Sequence, residues 1–217
     1  MSKPARKQFN SRNLAVKAFM GLATAAALAA PLTTPTTTRS VGKKPGVWRW
    51  NVKTMADPAA KQINLSSPEA LTVKTATEFS PPDDRLLTKT PRGVGPEEMQ
   101  AYTIEGYIIK YKGEPDGDYH VLISDDAKDV EHVLGVEIVR PDYAPNSPFK
   151  STFAAVRQAF ESIVVKAPSK GGSYRTLVTP MKVKMTGVGF WDETHGQHGL
   201  HSGFELHPIT KLEKVGN

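Results

Sequence analysis

The chain has 217 residues, 39% of them hydrophobic, with 17 glycines, 17 prolines, no cysteine and a formal charge of +6. That is enough for one domain of ordinary size plus extra segments, and the missing cysteine excludes disulfides, thiolate metal sites and a cysteine nucleophile. The charge is uneven: residues 1–96 hold 15 basic and 5 acidic groups, residues 97–217 hold 13 and 17, so the later half lacks the basic surface that phosphate binding favours.

The opening MSKPARKQFNSRNLAVK has five basic residues and no acidic one, and an apolar run follows from Ala18 to Ala30. That run is shorter than the roughly 20 residues needed to span a bilayer. A basic start, an apolar middle and the small-x-small triplet Ala27-Leu28-Ala29 form the pattern of a secretory signal over residues 1–29. An uncleaved alanine-rich helix is the alternative. Export implies a secreted or periplasmic bacterial protein without a transmembrane segment after cleavage. Residues 30–46, PLTTPTTTRSVGKKPG after Ala30, read as a Thr/Pro-rich linker. Residues 47–97 contain two tryptophans and then a stretch dense in Pro, Gly and charge. They predict an irregular, partly strand-like arm laid against the following domain, or else a disordered spacer.

Residues 98–214 predict five strands and one helix. QAYTIEGYIIKYK is rich in β-branched and aromatic residues and carries Gly106 as a bending point. GEPDGD is a turn, YHVLISD a second strand, and HVLGVEIVRP a third ended by Pro141. Phe149, Phe153, Val156, Phe160 and Ile163/Val164 then recur at spacings of three and four, the stripe of an amphipathic helix. Ser147 is its expected cap, with Pro148 in the first turn, and Gly171-Gly172 the exit. MKVKMTGVGFW, from Met181, is a fourth strand and GFELHPITKLEKV a fifth. Strand, strand, strand, helix, strand, strand is the connectivity of a five-stranded OB-like barrel; a split α+β sandwich is the competitor. The strand glycines suit tight barrel coiling or close backbone approach.

The segments EPDGDYHVLISD, VGFWDETHGQHG and GFELHP resemble an uncharacterised family of bacterial exported proteins marked by D-x-D-Y-H, T-G-V-G-F-F-D … H-G-Q and E-L-H-P. The resemblance runs from about Val52 to Thr210. This chain departs from it in Trp191 for the second aromatic, in His198 after H-G-Q, and in lacking a cysteine after the third strand. The resemblance implies an OB-like fold and export, and it supplies no catalytic residues.

Four of the six histidines fall between His195 and His207. In an OB-like barrel the second, third and fifth strands are neighbours, so His120, Glu137, Glu205 and His207 are expected to share an outward face, with Tyr119 and Trp191 as possible aromatic contacts for a ligand. Three readings compete there. A divalent metal would draw on Asp118, His120, His195, His198, Glu205 and His207, since imidazole with carboxylate is a common ligand set. Metal-free acid–base catalysis lacks a nucleophile elbow or a phosphate loop, so no catalytic residue is assigned. Mutual satisfaction of buried polar groups is the structural reading. The functional expectation is a non-catalytic binding or structural module without a cofactor, its partner an extracellular peptide, saccharide or envelope component. A metal-dependent hydrolase or nuclease is the alternative. Stacking of nucleic-acid bases on Tyr102, Tyr107, Tyr111, Tyr119, Phe190 and Trp191 is disfavoured by the acidic balance of the domain.

Overall fold

A computed structural model describes residues 48–87, 91–164, 172–193 and 202–216. The expected signal peptide and linker, the exit glycine Gly171, and His195, His198 and His201 lie outside these residues. Among the described residues no helix is long and apolar enough to cross a membrane.

The arm is built of short pieces: α1 (Trp50–Lys53), a 3₁₀ turn (Pro58–Gln62), β1 (Glu69–Leu71), α2 (Val73–Ala76), α3 (Asp84–Leu87) and a second 3₁₀ turn (Pro96–Met99). The barrel follows as β2 (Ala101–Gly113), β3 (Tyr119–Ser124), β4 (Leu134–Ile138), α4 (Lys150–Ile163), β5 (Arg175–Trp191) and β6 (Phe204–Lys214). The sheet runs β1-β2-β3-β4-β6-β5, and β5 pairs back onto β2. Five strands therefore close into a barrel, with the helix between the third and fourth barrel strands as expected from the chain order. The three-residue β1 is an addition, lying parallel to β2.

Closure is local chemistry as much as topology. The β2 ladder is irregular between Ile108 and Lys110 against both neighbours, so the strand's sharp irregularity falls just after Gly106. β5 shifts register against β6 on both sides of Gly187. Gly189 passes so close to the second 3₁₀ turn that an added Cβ would collide with the Glu97 carbonyl. A side chain there would force the turn away from the barrel.

The interior is filled by alternating strand residues, with three-residue steps at the ladder irregularities of β2 and β6: Ile104, Ile108, Tyr111, Tyr119, Val121, Ile123, Leu134, Val136 and Ile138, with Val183, Met185, Leu206 and Ile209. Phe160 of α4 enters this core, 5.4 Å from Tyr111 and 5.1 Å from Tyr119 between ring centroids. The apolar stripe of α4 thus meets the barrel as its spacing predicts.

Two boundaries differ from expectation. Helix α4 starts at Lys150, after Phe149 as its cap residue. The Ser147 hydroxyl instead donates to the Thr54 carbonyl at 2.6 Å and accepts from the Phe149 amide, joining the helix entry to the arm. Strand β5 begins at Arg175 rather than Met181, because its first residues pair with Lys110 and Tyr111 of the barrel rim; Pro180 inside it reads as a boundary in sequence.

The arm is fastened by buried polar contacts. Arg92 Nε meets Asp57 Oδ2 at 3.0 Å, and Arg49 Nη1 meets Glu98 Oε1 at 2.7 Å. The Asp125 carboxylate at the end of β3 accepts from the amides of Val73 and Lys74 at 2.9 and 3.0 Å, capping α2. Asp125→Ala is expected to cost about 0.5–2 kcal/mol, as for other lost caps. The measurement is the urea midpoint at unchanged m-value; an unmoved midpoint would show that the cap contributes nothing.

Candidate functional site

Barrel geometry gathers one set of ionisable side chains. His120 on β3 lies directly opposite Glu137 on β4. Gly135, two residues before Glu137 and so on the same face, lies opposite Glu205 on β6. Glu205 in turn lies opposite Phe190 on β5, and His207 follows two residues along β6. Period-two alternation thus puts His120, Glu137, Glu205 and His207 on the outer face of three adjacent strands.

The same alternation sends their chain neighbours inward. Tyr119 precedes His120, and its ring packs on Phe160 in the barrel core, with its hydroxyl donating to Glu161 at 2.8 Å. Trp191 follows Phe190, and its ring packs on Phe204, with its indole N–H donating to Glu97 at 3.2 Å. Both rings belong to the interior and neither lines the ionisable face. Tyr102, Tyr111 and Phe190 are also buried, so these aromatics offer no stacking platform.

The face is outward from the barrel but closed to solvent. His120, Glu137, Glu205 and His207 are all buried. Helix α1 and the two residues before it form the lid over Phe190: Trp48 lies edge-on to that ring at 6.0 Å, and the Arg49 guanidinium sits over it at 5.0 Å. Lys53, the last residue of α1, places its Nζ 5.1 Å from the Phe190 centroid and 3.2 Å from Asp192 Oδ2. The expectation of a surface patch is corrected here, because the arm occupies the surface that the barrel alone would leave open.

Two linked groups share the face. In the first, Asp118 Oδ1 accepts from the Arg140 amide at 2.7 Å while Oδ2 lies 3.8 Å from His207 Nε2, and His207 Nδ1 lies 3.2 Å from Glu205 Oε1. In the second, the Tyr174 hydroxyl is 2.6 Å from His120 Nδ1. Ligand atoms of Glu114, His120 and Glu137 lie within 4.8 Å of one another, an arrangement able to hold a metal ion. The two groups meet at Gly135, where a Cβ would sit 3.1 Å from His120 Nε2 and 3.6 Å from Glu205 Oε2. Of the expected metal ligands, His120 is in the second group and Asp118, Glu205 and His207 are in the first.

Burial dominates the electrostatics. It pushes Glu137 well above the usual carboxylate range, aided by the nearby Glu205 and Asp118 charges and opposed by Lys53. Burial likewise pushes Glu205 up to about 8, aided by Asp192 and opposed by Lys53. For Lys53, burial works against the ammonium, but Glu205, Asp192 and Glu137 outweigh it and hold the amine above its ordinary range. Burial also raises the Tyr174 phenol, reinforced by Glu114, Glu137 and Glu205, and keeps it neutral. Such raised carboxylates mark either a costly structural feature or a site awaiting a cation.

Lys53 and Tyr174 are absent from the residues expected from sequence. Lys53 ends the tryptophan-containing WRWNVK segment, where an arm packed by its aromatics must also bury the neighbouring lysine. Tyr174 sits just before β5, hidden by the expected strand start at Met181.

Neither protein-family models nor curated protein sequences match the chain. The site stands on its own geometry.

Proposed function

We propose that this chain is an exported, non-catalytic binding module whose barrel face takes a small cationic ligand beneath the arm. The observation that carries this reading is the buried collection of Asp118, Glu137 and Glu205 around His120 and His207, with the arm's Lys53 ammonium held among these carboxylates. A peptide, glycan or nucleic-acid strand would have to displace α1 to touch this face, whereas a small cation needs only the space between side chains. Export rests on the basic-apolar-small leader and on the resemblance to exported bacterial proteins.

The test is thermal unfolding of chelator-treated protein against magnesium, calcium, manganese, zinc and putrescine, each matched in ionic strength with sodium chloride. At least one is expected to raise Tm by roughly 5–10 °C at a hundredfold excess over Kd. Glu205→Gln/His207→Gln should blunt the response. No rise with any of the five would overturn the proposal. A metal-dependent hydrolase is the second reading, favoured by the Glu114–His120–Glu137 grouping. Turnover of bis(4-nitrophenyl) phosphate that is lost in Glu137→Gln would select it.

A further inference from the structure

We infer that Glu114, His120 and Glu137 are the protein ligands of a zinc site, with Tyr174 as the positioning residue for His120. This rests on the cation-binding reading and names its ligand.

The distances are close to what zinc needs. Donor atoms around a tetrahedral ion with bonds of about 2.0–2.2 Å stand roughly 3.4 Å apart, and the three groups here already lie within 4.8 Å. Glu114 belongs to the turn between β2 and β3 and is partly exposed, so a modest side-chain rotation closes the difference. Lys112 Nζ holds Glu114 Oε1 at 2.7 Å, which keeps that carboxylate beside the face.

A second observation points to a ligand independently of the spacing. Glu137 is buried, and among the described residues its Oε2 has no hydrogen-bond partner. A buried carboxylate oxygen left without a donor is costly. The strand register sets Glu137 directly opposite His120. A cation between them supplies the missing partner.

The third observation is orientation. Metal-bound histidines usually donate their other ring N–H to a neighbouring oxygen, which sets the tautomer and aims the ring. Tyr174 stands at 2.6 Å from Nδ1, so with Nδ1–H donating to the phenol oxygen, Nε2 carries the lone pair. Nε2 is the nitrogen packed beside Gly135, where a side chain would crowd the ring: a Cβ would come within 3.1 Å of it. Imidazole among the donors favours zinc and other first-row transition ions over magnesium or calcium.

The deciding experiment uses purified protein stripped with chelator and titrated with zinc by calorimetry, then with cobalt(II) as a spectroscopic probe. One ion per chain is expected. His120→Ala and Glu137→Gln should each weaken zinc binding at least tenfold, with far-UV circular dichroism unchanged. Glu114→Gln, in a turn, guards against loss through misfolding and should also weaken binding. Tyr174→Phe should weaken it by about 10–100-fold and alter the cobalt absorption bands, which a merely structural tyrosine would not do. Zinc bound with unaltered affinity in His120→Ala and Glu137→Gln would overturn the site. A response to calcium or putrescine with none to zinc would overturn this inference while leaving the binding module standing.

Discussion

Glu98→Ala is expected to cost about 3–5 kcal/mol of folding stability, the range for removing one partner of a buried ion pair. Glu98 is fully buried and accepts five hydrogen bonds: two from Arg49 at 2.7 Å each, and one each from the amides of Gly93, Val94 and Trp191. Without the carboxylate, the Arg49 guanidinium is left beside Trp48 and Phe190 with, among the described residues, the Trp191 and Pro91 carbonyls as its acceptors. Three backbone donors lose their acceptor at the same time. Chemical denaturation measures the loss, and a change below 1 kcal/mol would show that this pair does not hold the arm. Glu98→Leu with Arg49→Met should recover only part of the stability, since an apolar pair removes both buried charges but leaves the Gly93, Val94 and Trp191 amides without their acceptor. The effect reaches the site because Arg49 directly precedes α1, which presents Lys53 over Phe190. Amide exchange of Val52 to Thr54 should therefore rise in Glu98→Ala, reporting the lid as well as the core.

Most of the barrel was legible because alternation and helical spacing are printed in the side chains. Tyr119, Val121 and Ile123 alternate with His120 and Leu122, and the stripe from Phe153 to Val164 has the period of a helix. Strand order then placed His120, Glu137, Glu205 and His207 together, since the second, third and fifth strands of such a barrel are neighbours. The lid was not legible. Nothing local in Trp48 to Lys53 says which surface they cover, because that contact joins residues more than a hundred positions apart, as Arg49 Nη1 to the Trp191 carbonyl does. An exposed patch was therefore expected where the arm makes a buried one. Residue type alone suggests Tyr119 and Trp191 as ligand contacts, but their odd offset from His120 and Phe190 assigns them inward. Pairing of Glu137 with Glu114 and His120, rather than with distant histidines, depends on how far the β2–β3 turn folds back, and turn composition does not specify that.

Chelator-treated protein is expected to lose stability as pH rises from about 5 to 8, and Glu205→Gln should flatten that slope. The sign follows from proton counts. In the unfolded chain Glu205 titrates near the ordinary 4.5, whereas in the folded chain it titrates near 8. Between those values the folded state holds a proton that the unfolded state has released, so ΔG of unfolding falls with pH by about 1.4 kcal/mol per unit for one proton. The contribution is complete below 4.5 and gone above 8. Glu137, raised in the same direction by its burial, steepens the decline wherever it too remains protonated. The charges facing Glu205 are Asp192, Lys53, Glu114 and Asp116, with Glu137 coupled to it and His207 beside it, and all of these side chains are retained in the Gln variant. Glu105 and Asp129 are shifted the opposite way, lowered by their contacts with Lys182 and with the His132 segment. Their contribution is lost only on acidification, below this window. Urea unfolding at half-unit pH intervals, compared between the two proteins, reads Glu205 together with the part of the Glu137 shift that the Glu205 charge causes, because titrations that do not feel Glu205 cancel in the difference. A difference that stays constant from pH 5 to 8 would mean that Glu205 is ionised throughout and that the face is wetter than its burial implies. Saturating zinc should reduce the slope in the unsubstituted protein, because a cation on the neighbouring Glu137 and His120 favours the charged carboxylate.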